Sequence, residues 1–390
     1  MNKKDTSCAL YLIQLIRSAV NGENAPLPQN YIDWSHLFQL ADDHSVANIA
    51  YYALCESDIE VDPSVLSEFK EARNKAVVRE AKQELEKEQL KDELEKRRLR
   101  FMFLKGSVIK NIYPRVDMRT MSDIDLIIDE TKSGVVRHIM QNLGYKLFLD
   151  CDLHDIYHKK PIMNIEVHKR LIDECFEQVN EFFGNGFKRA ELISDSKSEY
   201  ELNKEIFFVF LIAHTAKHFY TSGTGIRSIL DIFIYLRAYE KVIKMEHIND
   251  VLKKMELLDF ANEMIEISEL WFGNGKPRKI FGKTEEYIVS NGTHGNAENE
   301  ISNRFILRYG NSKFLLIRKV KYFFSTAFPG VEYMSINYPI LNRMPLLLPF
   351  CWVLRFFSTI IHKRTNIKYR LSGVAKLKKD DIAARPNIKQ

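Results

Sequence analysis

The sequence predicts an α+β protein: a small mixed β-sheet core with flanking helices, set between N-terminal and C-terminal helical regions. Three observations carry this. Between residues 99 and 168 short apolar runs alternate with turn residues, as strands do. Before and after that stretch, apolar residues recur at helical spacing. A chain of 390 residues is also too long for one hydrophobic core, so several domains are expected.

Residues 7–95 read as helical throughout, from LYLIQLI and LFQLADDHSVANIAYYAL to a very polar run, Glu80 to Arg98, which predicts a long solvated helix. At residue 99 the pattern changes. LRFMFLKG predicts a short strand stopped by Gly106, and Ser107 to Tyr113 a helix ended by Pro114. Ser122 to Ile128 predicts a second strand, and Ser133 to Leu143 a helix closed by Gly144. YKLFLD, the HDIYHKK region and Pro161 to His168 predict three more strands. From Asn203 to Glu240 the chain is apolar and helical, with a turn at Ser222 to Gly225 between two helices. Further helices run to about Phe272, and a polar Gly/Asn-rich loop follows at Asn291 to Asn299. Four parts are expected: an N-terminal helical subdomain (1–95), the mixed core (96–200), a helical domain (201–300) and a basic, aromatic-rich C-terminal helical segment (301–390).

Apolar residues at 45% and charged residues at 28% exclude a disordered or fibrous chain. A net charge of +5 is too small to imply nucleic acid without a local cluster. Cys8, Cys55, Cys151, Cys175 and Cys351 are odd in number and lack CxxC spacing, so neither a disulfide framework nor a zinc site is expected and the thiols read as reduced and cytosolic. The first apolar run is broken by Gln14 and Arg17 and reads as an amphipathic helix rather than a signal peptide. A cytoplasmic protein is expected.

The chemistry-bearing residues lie in the core. On a strand, Asp123 and Asp125 of SDIDLII point the same way, and two such carboxylates repel unless a cation lies between them. Magnesium, which takes carboxylate oxygens together with substrate phosphates, fits this pair. A solvated strand face and the Asp-x-Asp of sugar-nucleotide glycosyltransferases are the competing readings. Lys105, Gly106 and Ser107 stand between strand and helix, where glycine allows close backbone approach and a helix start offers N–H groups to phosphate. A plain turn would look the same. In NIEVH, Asn164, Glu166 and His168 share one face, and Glu166 supplies a third carboxylate able to complete a two-metal site; the alternative is an exposed edge acid.

The order Gly106-Ser107, Asp123-Ile124-Asp125 and a later strand acid resembles the nucleotidyltransferase superfamily that includes DNA polymerase β. More narrowly, LKGSVIKNIYP, Arg119, SDIDLII, IEVHKRL, HTAKH and RSILDI resemble a bacterial family of uncharacterised nucleotidyltransferases. The resemblance implies a nucleotidyltransferase core with Gly106 and Ser107 at the phosphates, and Asp123, Asp125 and Glu166 as catalytic metal ligands. It implies two magnesium ions, with manganese as the alternative, an NTP donor and a role in polysaccharide or other surface biosynthesis. It also favours Lys217 or His218 facing the nucleotide. Two departures stand out: the third acid is Glu where many relatives have Asp, and His168 lies two residues beyond it. Lys105 and Arg119 read equally as phosphate contacts or as structural partners of the aspartates. Arg227 and Asp231, one turn apart, read first as a helix salt bridge.

Residues 301–379 contain fifteen Lys or Arg and one acid, Glu332, interleaved with aromatics. Packing on the helical domain and peripheral association with an anionic membrane are both expected readings, with nucleic acid a lesser one. The run PLLLPFCWVLRFFSTII is too short to span, and Pro349 and Arg355 interrupt it. The acceptor is undefined: small molecule, glycan or protein. A sugar-nucleotide glycosyltransferase and a silent nucleotide-binding scaffold are the rival functions.

Overall fold

The structure, a computed structural model, describes residues 3–151, 153–171, 177–275, 280–293, 295, 303, 305, 315–331, 334–335 and 338–362. Cys175, most of the 294–299 loop and residues 363–379 of the basic segment lie outside the described residues. The chain divides into two compact units, the first made of Met1–Lys217, Thr224–Phe281 and Ile288–Thr293, the second of His218–Gly223, Gly282–Tyr287 and His294–Gln390.

The first unit opens with α1 (Lys3–Asn21), α2 (Trp34–Asp43), α3 (Ala47–Cys55) and α4 (Pro63–Lys96). Side-chain caps start two of them: Asp33 accepts from the His36 N–H, and Asp62 from the Ser64 N–H just before Pro63. α4 departs from the solvated helix its composition predicts. It buries Phe69, Ala76, Gln83 and Leu90, one residue every seventh, in a narrow stripe. Its charges are paired too: Lys110 is buried between Glu80 and Glu84, Lys159 reaches Glu86 at 2.7 Å, and Lys91 reaches Glu199 at 2.7 Å. The polar helix is a spine on which the core is mounted, because the cations it needs come from the core.

That core is a five-stranded mixed sheet. β1 (Phe101–Phe103), β2 (Ile124–Ile128), β3 (Lys146–Asp150), β4 (His154–Lys159) and β5 (Met163–His168) lie in the order β1-β2-β5-β4-β3. β2 and β5 are parallel and the other pairs antiparallel. α5 (Gly106–Ile109) follows β1, and α6 (Ser133–Asn142) follows β2. One sheet face, with Ile124, Leu126, Ile165, Val167 and Tyr157, buries itself against Val136 and Ile139 of α6 and Leu90 and Leu94 of α4. Alternation sends the carboxylates to the opposite face.

After α7 (Glu177–Phe183) and a small hairpin, β6 (Ala190–Leu192) with β7 (Tyr200–Leu202), come α8 (Lys204–Thr221), α9 (Ile226–Tyr239), α10 (Met245–Lys254), α11 (Leu258–Phe272) and α12 (Lys283–Val289). Buried His44 ties this region to the N-terminal helices. Its Nε2 is 2.9 Å from the Val289 carbonyl, and its Nδ1 accepts the Ile226 N–H at 3.0 Å. A Cβ on Gly225 would lie 2.6 Å from that Nδ1, so the start of α9 requires glycine.

The second unit includes α13 (Leu315–Ala327) and α14 (Leu348–His362). Its small cluster of buried Met334, Leu341 and Cys351 takes one side of α14. Among the described residues no helix is long and apolar enough to cross a membrane.

Candidate active site

The β2–β5 register sets the site. Asp125 lies opposite Glu166 and Ile127 opposite His168, so Asp125, Glu166 and His168 share a face. On β4, Ile156 continues the Glu166 row and His158 the Asn164 row. Asp125 Oδ1 accepts from Lys105 Nζ at 2.6 Å and lies 2.7 Å from His168 Nε2, while His168 Nε2 is 3.6 Å from Glu166 Oε2. β2 begins at Ile124, so Asp123 stands just before the strand rather than within it.

Lys105 reaches Asp125 from a turn with φ of 48°, a left-handed conformation rare outside glycine that costs on the order of 1 kcal/mol. The Leu104 N–H donates to the Asp125 carbonyl at 3.1 Å, fixing the turn beside the carboxylate. The ion pair offsets the strain. Burial alone would depress the Lys105 pKa, but Asp125 outweighs it and the ammonium is held above its usual range.

The carboxylates divide into two kinds. Burial, with Asp125 and Glu166 adding like charge, pushes Asp123 up to about 7. Burial acts on Asp125 in the same sense, yet Lys105 and His168 hold it well below the ordinary carboxylate range. Burial and the nearby Lys105 lower the pKa of His168. Such crowding favours a cation. Among the described residues, Asp125, Glu166 and His168 form the group whose ligand atoms all lie within 4.8 Å of one another. Two carboxylate oxygens and an imidazole nitrogen fit a divalent ion.

The Gly106 turn is tightly closed. A Cβ there would lie 2.7 Å from Met121 Cγ, which explains the glycine, and buried Ser107 Oγ faces Met121 Sδ at 3.8 Å. The Ser107 N–H donates to Leu104 O, and those of Val108 and Ile109 to Lys105 O. In this conformation those three N–H groups serve the turn itself.

Arg119 is engaged elsewhere than at the site aspartates. It grips Asp231 of α9 with Nε at 2.7 Å and Nη2 at 2.8 Å, and the Tyr113 hydroxyl donates to the same carboxylate at 2.7 Å. The Arg227–Asp231 helix pair expected from spacing is thereby replaced. Arg227 instead donates to the Thr120 carbonyl at 3.2 Å and acts electrostatically on Asp123. Burial and the like charge of Arg119 push Arg227 down to about 9. Sequence spacing concealed this cation, and its presence in the RSILDI block was the available signal. Lys217 and His218 stand in the last turns of α8, where His218 Nδ1 is 3.5 Å from Ser222 Oγ.

A sheet face of clustered acids, closed on one side by a strand-to-helix turn and faced by buried cations, suits phosphoryl chemistry. The family described as uncharacterised nucleotidyltransferase matches residues 30–273. The chain belongs to that family. No curated protein and no solved structure matches it. The match on this nucleotidyltransferase covers α2 through α11 with the whole sheet, and stops before α13 and α14.

Proposed function

We propose that this nucleotidyltransferase moves an NMP group from an NTP to an acceptor hydroxyl over the Asp125–Glu166 face. The observation that carries the reading is the gathering of Asp125, Glu166 and His168 within one ligand sphere, with Lys105 bonded to Asp125. Asp123, Asp125 and Glu166, with His168 beside them, would hold one or two divalent cations, magnesium or manganese, which when bound neutralise the triphosphate. Lys105 and Arg227 add positive charge beside the acids, and Gly106 and Ser107 line the turn we assign to the phosphates. Arg119 acts by bracing α9, and Lys217 and His218 remain assigned to the nucleotide.

Strand order supports opposite approaches for the two substrates. The Lys105–Ser107 turn lies on the β1 side of β2, whereas β5, β4 and β3 extend away on the other. In-line displacement needs attacking and leaving groups on opposite sides of phosphorus. We therefore assign the strip beyond Glu166 to the acceptor: Asn164, His158 and Phe148, the last 69% exposed and stacked on His158 at 4.4 Å. The acceptor oxygen forms a bond to the α-phosphorus, the α–β bridge breaks, pyrophosphate leaves with the electron pair, and Glu166 takes the acceptor proton.

The wider reading places the enzyme in the cytoplasm, acting in polysaccharide or other surface biosynthesis, with residues 301–379 in peripheral contact with an anionic membrane. The four-part division at 95, 200 and 300 belongs to the same reading. Thermal shift with each NTP, with and without Mg²⁺, and pyrophosphate release test the chemistry. Metal-dependent stabilisation by one NTP is expected, lost in Asp125→Asn, whose turnover should fall about a thousandfold or more. Turnover by Asp125→Asn at the wild-type rate would sink the assignment.

A further inference from the structure

α13 is built inside out. Leu316, Ile317, Val320, Phe323 and Phe324 follow one helical stripe, and all five are exposed. The residue the helix buries among them is a cation, Arg318, whose guanidinium lies 5.1 Å from the centre of the buried Phe305 ring. A helix packed on a water-soluble core does the reverse.

α14 repeats the pattern. Cys351 faces the small buried cluster, while Phe350, Val353 and Leu354 turn outward, with Leu346 before them 93% exposed. The two helices touch beside these faces: Phe328 lies 6.1 Å from Phe324 and 5.2 Å from Trp352, which packs on the buried cluster, and Arg355 Nη1 donates to the Ala327 carbonyl at 3.5 Å. Twelve exposed large apolar side chains fall between residues 316 and 354, too many and too contiguous for scattered surface apolarity.

We infer that α13 and α14 form one membrane-insertion face that lies in the surface of an anionic bilayer. The inference rests on peripheral membrane association and specifies its mode: apolar side chains enter the acyl boundary, and the cations meet the headgroups. Charge selects this occupant. Lys319, Lys321, Arg343 and Arg355 accompany the apolar stripes, within a segment holding fifteen cations to one acid. A second copy of the face would bring cation against cation, whereas anionic phospholipid brings the complement. Among the described residues no helix is long and apolar enough to cross, and α13 and α14 have 13 and 15 residues, so the face lies along the surface.

Flotation of the full-length protein with phosphatidylcholine vesicles, with and without phosphatidylglycerol, tests this. Wild type should float with the phosphatidylglycerol vesicles, and a Phe323→Ser/Phe324→Ser/Phe350→Ser variant should bind at least about tenfold more weakly while melting at the same temperature. Lys319→Gln/Lys321→Gln should weaken binding and flatten its salt dependence. Undiminished binding by the serine variant would overturn insertion and leave a purely electrostatic association. Absence of wild-type binding at low salt would overturn both. A wild-type dimer that the serine variant dissolves would assign the face to a second copy instead.

Discussion

In α4, four residues seven apart are buried and the surrounding charges are paired with the core, whereas α13 turns five apolar side chains to solvent and buries Arg318. α4 is the more polar helix by composition, yet it is the better integrated. The difference lies in what stands opposite. Glu80, Glu84 and Glu86 meet lysines carried in by the turn after β1 and by β4, so their charges act as packing contacts. α14 and the segment before it gather three buried residues, Met334, Leu341 and Cys351, a cluster that includes nothing from α13 and is too small to draw the apolar faces inward.

If buried ion pairs hold the first unit, the largest loss should come from the bidentate pair on Asp231, which also carries the Tyr113 hydroxyl. Asp231→Ala strands Arg119 and Tyr113, and urea unfolding should register about 3–5 kcal/mol. A loss under 1 kcal/mol would mean that α9 is held by apolar packing alone.

His44 should show next. Burial lowers its pKa to about 4, so between pH 6.5 and 4 the unfolded chain binds a proton that the folded chain refuses. Stability from this residue is full above pH 6.5 and is lost as pH falls, by about 3 kcal/mol at the lower limit. Unfolding of wild type and His44→Gln across that range should converge toward low pH; parallel curves would remove His44 from the account.

Lys110→Met should cost about 1–2 kcal/mol, since Glu80 and Glu84 keep some water. The smallest effect belongs to the second unit: Phe323→Ser/Phe324→Ser should change the unfolding free energy by less than about 0.5 kcal/mol, because both rings are exposed. A large loss there would erase the contrast between the two helices.

The strands from residue 146 to 168 were legible because turn residues bracket each apolar alternation, and β3, β4 and β5 follow the expected order along the chain. Alternation alone starts the second strand at Ser122, two residues early, since the acids before Ile124 continue the alternation although the ladder begins at Ile124. The role of α4 was hidden because a charged surface reads as solvated until its partners are known, and Lys110 and Lys159 lie on other elements. The partner of Arg119 was hidden for a similar reason: Asp231 is 112 residues away.

By itself the sequence determined that Asp125, Glu166 and His168 would each face away from the apolar side of their strands, because side-chain alternation is a property of the local backbone. Only the tertiary structure decided that β2 and β5 are neighbours with Asp125 opposite Glu166, that Lys105 takes Asp125, and that Arg119 displaces Arg227 from Asp231. Those outcomes depend on strand order and burial, where one carboxylate among several competing cations is claimed by whichever the fold brings within reach.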